Sequence, residues 1–388
     1  MTSPVSPAAV HDRLAALVPA LAEQATEADS GRRISTGAAA AIREAGAHRL
    51  LQPARYGGAE ASVTEHVRAA ATAAEGCVAA GWCVGLWSVH NWMLSHFEPA
   101  TQDLVWSDPA AMISGSIVPK TPFPDDGPDH ILIQGRFGFA SGTDHADWVL
   151  IGGLVNRDGE RSPAMAVVER ERVLVDQDSW NVAGLRGSGS KDLVVTEPIR
   201  VDRDRLFFTG DSAARTAPGQ RWNPGWLYQA PFHTIGLLAL APPALGAARA
   251  ALARFIERME GHRLFIVRRS QRDDPAARLR VAEASAEIDA AERALISAAE
   301  RCDAAGRAEG RDPLNEVTIA RDSAFAVRLC ATAVDRLFEA AGGSALDQAE
   351  PLQRLWRDVH AVRSHAVLTW DAAATQYSDV LLGRPSGA

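Results

Sequence analysis

Twice in 388 residues the hydrophobic pattern of this chain changes its period, and that double change excludes most folds. Up to about residue 108 alanine, leucine and glutamate dominate, β-branched runs are few, and the texture is helical. Ser35 or Thr36 can cap a helix that passes Ile42 and Glu44 and stops at Gly46. Pro53 and the Gly57-Gly58 pair mark a turn, and a second helical stretch runs from about Val63 to Ala74. A third, from about Ala79 to Phe97, is rich in tryptophan and apolar all round. A helix without a polar face is normally buried.

From about Ala111 to Phe208 the period shortens. Apolar runs such as Ile131-Leu132-Ile133, Trp148-Val149-Leu150-Ile151 and Leu193-Val194-Val195 alternate with Gly, Pro, Asp and Asn, the pattern of short strands and tight turns. Residues 210–224 read as a linker. From about Pro231 to Leu382 long helices return. After Pro275 no proline or glycine interrupts the chain until Gly306, and the alanine-rich, charge-laced stretch (Arg278, Glu283, Glu287, Arg293) suits a long bundle helix. A second such helix is expected from about Pro313 to Ala341 and a third from near Leu352. The expected class is α+β, with a helical domain over 1–110, a β-domain over 111–210 and a helical bundle over 225–388.

A formal net charge of −8 argues against a nucleic-acid binder, which needs a basic surface to neutralise phosphates. No basic, apolar leader pattern opens the chain, and no run approaches the roughly 18 uninterrupted apolar residues of a membrane span. A cytoplasmic location without membrane attachment is therefore expected. Cys77, Cys83, Cys302 and Cys330 show neither CxxC pairing nor metal-ligand spacing, so they read as buried thiols and no metal site is expected. No G-x-G-x-x-G follows a strand and opens a helix, and no G-x-S-x-G elbow is present, which removes the Rossmann and hydrolase readings. The run from Gly184 to Ser190 sits between strands and reads as a turn.

Three segments embed reactive groups in apolar surroundings. In the first, His90-Asn91-Trp92 ends the tryptophan-rich helix; His90 lies eight positions after Trp82, roughly 80° around it, so the two can line neighbouring walls of one pocket. A core histidine bonded to backbone is the competing reading. In the second, from Phe139 to Trp148, small residues including Ser141 and Gly142 precede polar ones, which suits close backbone approach to a planar ligand or a polar turn. In the third, Arg357-Asp358 is followed by His360 and His365. Five positions apart, these histidines point in different directions and cannot form an i, i+4 metal pair. His365 can serve as a general base or proton donor near neutral pH, or simply sit between helices.

Together these segments resemble the flavin-dependent monooxygenases of the acyl-CoA dehydrogenase superfamily, above all the oxygenase components of the two-component 3-hydroxy-9,10-seco-steroid and 4-hydroxyphenylacetate hydroxylases. The likeness is carried, in order, by Val89-His90-Asn91-Trp92, the run from Ser141 to Trp148, the run from Val182 to Ser190, Asp274-Pro275, the run from Arg336 to Gly342, and the run from Gln353 to Asp358 with His365 following. It implies an acyl-CoA dehydrogenase-like fold: N-terminal helical domain, central β-barrel and C-terminal four-helix bundle, assembled as a homotetramer. It implies reduced FAD or FMN supplied by a separate flavin reductase, and O2 as co-substrate, reacting through a C4a-hydroperoxyflavin with a small aromatic substrate. Carried over residue by residue, Ser141 matches the serine near flavin N5, His365 the histidine at the reactive edge, and His90 a histidine facing the substrate. Trp82 and Ser116 match further pocket positions, Trp92 accompanies His90 in the substrate segment, Gly142 follows Ser141, and Gly342 and Gly343 match the bundle turn near the flavin's phosphate tail.

One departure separates the chain from the dehydrogenase branch. Where many acyl-CoA dehydrogenases carry a catalytic glutamate shortly after the Arg-Asp pair, this sequence reads Ser364-His365-Ala366-Val367, with Ala366 at about the glutamate's place. An alanine cannot remove an α-proton. Oxygenation of nitrogen or sulfur by the same superfamily, or an unusual thioester oxidation, are the alternative activities.

Overall fold

Several helices begin where the chain supplies a side-chain cap. The computed structural model describes residues 5–261, 263–264 and 269–384; residues 1–4, 262, 265–268 and 385–388, at the outer ends and within the last of the expected domains, lie outside the described residues. After α1 (Pro7–Gly31), Ser35 Oγ accepts the Ala38 amide at 3.0 Å and opens α2 (Thr36–Ala45), which Gly46 closes at φ +80°. Ser62 and Glu65 form a reciprocal capping box at the start of α3 (Val63–Gly76). The tryptophan-rich helix is α4 (Val78–Leu94), buried along its whole length except for the half-buried Leu86. Gly85 is its point of closest approach: a Cβ there would stand 2.3 Å from the Ala239 carbonyl oxygen. α5 (Pro99–Val105) completes this region.

Seven strands follow: β1 (Ile113–Phe123), β2 (His130–Ala140), β3 (Trp148–Arg157), β4 (Glu160–Glu169), β5 (Leu174–Asp176), β6 (Lys191–Asp202) and β7 (Leu206–Phe208). They form two sheets, one ordered β1-β3-β4-β7 with β1 and β3 parallel, the other β2-β6-β5 and antiparallel. Phe123, Ile131, Ile133, Val149, Ile151, Leu193 and Val195 are shared between them as one core. Here the expected barrel is corrected: among the described residues no ladder joins the two sheets, so the barrel is not closed. Past the end of β1 an isolated bridge pairs Asp125 with Ile131 of β2, and along the strands Ser116 Oγ donates to the Gly138 carbonyl at 2.6 Å.

The segment expected as a linker is also more than that. It carries α6 (Thr209–Ala213) and α7 (Pro218–Trp222), fixed by buried amides: Gln220 donates to the Tyr228 carbonyl at 2.9 Å and Asn223 to the Ser95 carbonyl at 2.9 Å. Polar side chains bonded to backbone do here what apolar periodicity does elsewhere, which is why the sequence pattern looked unstructured.

α8 (Phe232–Leu240) and α9 (Pro242–Gly261) pack under α4 and α3. The stretch Phe232–Glu260 is long and apolar enough to cross a bilayer, yet 78% of its most apolar window is buried inside the protein. α10 (Pro275–Arg307), capped by Asp274, lies along α11 (Pro313–Ala341), while α12 (Pro351–Arg363) packs on α9 and α11 and α13 (Trp370–Leu381) on α11. Asp303 of α10 accepts the Val63 amide at 2.7 Å and the Thr64 hydroxyl at 2.8 Å, so the last helices are fastened to the first turn of α3.

Candidate active site

The three sequence segments converge at the end of β2. α4 aims Trp82 at the turn after that strand, and its indole Nε1-H donates to Ser141 Oγ at 3.0 Å. The Trp82 ring lies 5.8 Å from the His365 ring, centroid to centroid. His90, on the same helix, sets its Nδ1 3.0 Å from the Ile113 carbonyl, and the neighbouring Ser114 Oγ donates to the Ser141 carbonyl at 2.7 Å. Trp82, His90, Ser141 and His365 therefore gather around one short patch of β1 and the turn that follows β2.

The turn is held from below. Gly142 sits at φ +66°, and a Cβ there would stand 2.7 Å from the Trp87 indole, so only glycine fits. Its amide donates to the Ser188 carbonyl at 2.8 Å. Ser141 Oγ is 2.6 Å from Ser190 Oγ, Ser190 Oγ is 2.8 Å from Ser188 Oγ, and Ser188 Oγ donates to the Leu185 carbonyl at 2.7 Å. One step further, Lys191 and Asp144 form an ion pair at 2.7 Å with side chains 1% and 6% exposed, and Gln177 bonds both. From the other side Asp358 of α12 accepts the Leu185 amide at 2.6 Å; burial pushes its carboxyl up to about 7.

The histidines are tuned by burial. A carbonyl can only accept, so the His90 proton lies on Nδ1 and Nε2 keeps its lone pair. Desolvation lowers its pKa to about 4, which keeps the ring neutral. His365 is partly buried and also lowered by desolvation, and its Nδ1 is buried with no hydrogen-bond partner. An unpartnered buried ring nitrogen beside an indole and a serine suits a planar heteroaromatic ligand that offers its own polar edge. On that ground the residues fit a flavin ring.

The remaining expected residues are placed less centrally. Ser116 is spent on the Gly138 carbonyl as described. Trp92 is not brought to Ser141: its Nε1-H donates to the Leu227 carbonyl at 2.9 Å and its ring packs on His96 and Phe232, because ten positions along a helix turn it to a different side from Trp82. Gly342 and Gly343 lie on an exposed turn after α11 beside Arg258, and no contact in this chain joins them to the Ser141 group. His360 braces helices, with Nδ1 2.8 Å from the Trp356 carbonyl and Nε2 3.3 Å from Asp335. Sequence reasoning missed Ser114, Ser188 and Ser190 as supports of Ser141. For Ser188 and Ser190 the signal was serine at alternate positions in a glycine-rich turn, which read only as a turn; Ser114 lies in β1, where nothing set it apart.

Comparison with known proteins identifies the family. Residues 238–370 match the family described as acyl-CoA dehydrogenase, C-terminal domain. The chain is 35% identical over 392 residues to the flavin-dependent monooxygenase oxygenase subunit HsaA of Rhodococcus jostii, covering 96% of this chain and 98% of that protein. It is 32% identical to the oxygenase component of the FADH(2)-dependent resorcinol hydroxylase of a Rhizobium strain, covering 97% and 96%. The crystal structure of 3-HSA hydroxylase from Rhodococcus sp. RHA1 superposes with a TM-score of 0.90 at 34% identity, covering 98% of each chain. The fold is acyl-CoA dehydrogenase-like, the protein is an oxidoreductase, and the chain belongs to the family of flavin-dependent monooxygenase oxygenase subunits.

Proposed function

We propose that this chain hydroxylates a small phenolic substrate with reduced FAD or FMN delivered by a separate flavin reductase, and that its domains divide near 1–110, 111–210 and 225–388. The single observation that carries the reading is the convergence of Trp82, Ser141 and His365 from three distant parts of the chain. The names of its relatives, a resorcinol hydroxylase and a p-hydroxyphenylacetate 3-hydroxylase among them, support the phenolic class. The four-helix bundle, homotetramer and cytoplasmic location expected from the resemblance belong to the same proposal.

When bound and reduced, the flavin supplies the reaction with O2. Everything else falls to the protein. Ser141, presented on its turn by Gly142, meets the N5 edge of the ring, and His365 faces the same edge with its free Nδ1. Ser116 lies along the same wall, and Gly342 and Gly343 serve the phosphate tail. His90, neutral and with its lone pair on Nε2, accepts a hydrogen bond from a substrate hydroxyl and orients it; a hydroxyl polarised in this way is the stronger nucleophile towards an electrophilic oxygen. Trp82 supplies an apolar wall, Trp92 packs behind it in the core, and α4 excludes the water that diverts oxygen to H2O2.

The test is anaerobic titration of the purified protein with FADH2 and reduced FMN, followed by O2 and a panel of phenols, amines and sulfides. Hydroxylated phenol is expected. Oxygenated amine or sulfide with no hydroxylated phenol would replace the substrate class, and absence of binding to either reduced flavin would end the reading.

A further inference from the structure

The hydroxyl ladder under Ser141 runs in one direction. The Leu185 carbonyl can only accept, so the Ser188 proton points to it at 2.7 Å. Ser188 then offers only lone pairs, and the proton across the 2.8 Å contact with Ser190 belongs to Ser190. With that proton committed, the 2.6 Å contact between Ser141 and Ser190 is made by the Ser141 proton. At the other end the Trp82 indole, which can only donate, occupies one lone pair of Ser141 at 3.0 Å. Groups with a single role close both ends, so the three hydroxyls between them have one arrangement. What remains on Ser141 Oγ is one lone pair and no proton.

The frame does not let this arrangement relax. The Gly142 amide bonds the Ser188 carbonyl, and the Lys191-Asp144 pair ties the residue after Ser190 to the turn after Ser141. Asp358 pins the Leu185 amide from α12. Ser141, Ser188 and Ser190 are 3%, 1% and 5% exposed, so bulk water does not reach in to reverse the ladder.

We infer that Ser190 and Ser188 are positioning residues that hold Ser141 as a hydrogen-bond acceptor, and that this orientation makes the site prefer the dihydro form of a flavin to the oxidised form. The inference rests on the proposed reading that Ser141 meets the N5 edge. A dihydroflavin carries N-H at that nitrogen, which an acceptor binds; the oxidised ring carries a bare lone pair there, which an acceptor repels. For an enzyme that receives its flavin reduced and must release it oxidised, that difference favours turnover in the forward direction.

The experiment compares dissociation constants for FADH2 and reduced FMN, measured anaerobically, with those for FAD and FMN, in wild type, Ser190→Ala, Ser188→Ala and Ser190→Thr. Wild type is expected to bind the reduced forms more tightly. Ser190→Ala frees the Ser141 proton to turn outward, and the oxidised-to-reduced ratio should fall roughly five- to tenfold. Ser188→Ala lets Ser190 donate to Ser141 and should shift the ratio the same way by less, while Ser190→Thr keeps the hydroxyl and the wild-type ratio. In flavin-free protein labelled with 5-fluorotryptophan, the Trp82 resonance, assigned by its loss in Trp82→Phe, should move in Ser190→Ala and return in Ser190→Thr. Should Ser190→Ala fail to fold, Ser188→Ala carries the test alone. An unchanged ratio in the alanine variants, an equal weakening of both redox forms, or no redox preference in wild type overturns the inference while leaving a flavin site standing. If wild type binds no flavin in any form, the functional reading and the inference fall together.

Discussion

Trp82 donates its indole proton to the Ser141 hydroxyl at 3.0 Å, and this bond joins the core helix α4 to the turn that follows β2. The same ring stands beside His365, so one side chain gathers the helical N-terminal part, the sheets and the C-terminal helices at a single point. Replacing Trp82 with Phe removes the donor and keeps most of the apolar wall. The stability cost should be small, about 1 kcal/mol for the lost hydrogen bond. Product formed per flavin oxidised should drop severalfold, measured as the ratio of hydroxylated product to H2O2.

His365→Ala tests the other side of the same point. The ring nitrogen without a partner contributes no hydrogen bond to the resting structure, so the stability cost should be confined to the lost contact with the Trp82 ring, about 0.5–1.5 kcal/mol. Coupling of flavin oxidation to product should fall more than flavin affinity does. Stopped-flow absorbance with product analysis checks this, and unchanged coupling would remove His365 from the mechanism.

Gly142→Ala should be disproportionately harmful for so small a change. It adds left-handed backbone strain and a Cβ within 2.7 Å of the buried Trp87 indole. Strain of this kind costs about 1 kcal/mol or more, and displacement of Trp87 adds to it. Chemical denaturation should show a loss of about 2–4 kcal/mol, accompanied by loss of reduced-flavin binding because the turn carrying Ser141 moves.

Acid should unfold this protein early. Burial lowers His48 to about 3 and His66, His90 and His96 to about 4, against 6.5 when exposed. Folded pKa values below the unfolded value mean that the unfolded chain binds more protons. Stability is therefore full above about pH 6.5 and falls as pH drops towards 4, by up to roughly 1.4 kcal/mol per pH unit for each ring. Asp358 has the opposite sign: raised from 3.8 to about 7, it costs stability as pH rises through that window, so it partly offsets the histidines. His66, whose two ring nitrogens are both buried without partners, offers the cleanest check. His66→Leu should flatten the dependence of Tm on pH between 6.5 and 4; an unaltered slope would contradict the assignment.

Much of the fold was legible because it depends on local pattern. Ser35 and Gly46 announced the ends of α2, and Pro313 and Ala341 those of α11, since caps and breakers act within a few residues. The unbroken apolar surface of α4 announced its burial. The expected closed barrel depended instead on pairing between strands far apart in the chain. Local alternation names a strand without naming its partner. The segment over 210–224 was misjudged for a related reason: Gln220 and Asn223 find their acceptors in residues distant in sequence.

By itself the sequence determined which side chains carry chemistry and which elements bear them, because residue type and periodicity are properties of short segments. Only the tertiary structure decided that Ser141 should meet Trp82 and Ser190 while Trp92 turns away to Leu227. The physical reason is that a hydrogen bond is fixed by position and direction to within a few tenths of an ångström, and three segments spread over most of the chain acquire that relation only when the helices and sheets between them have packed.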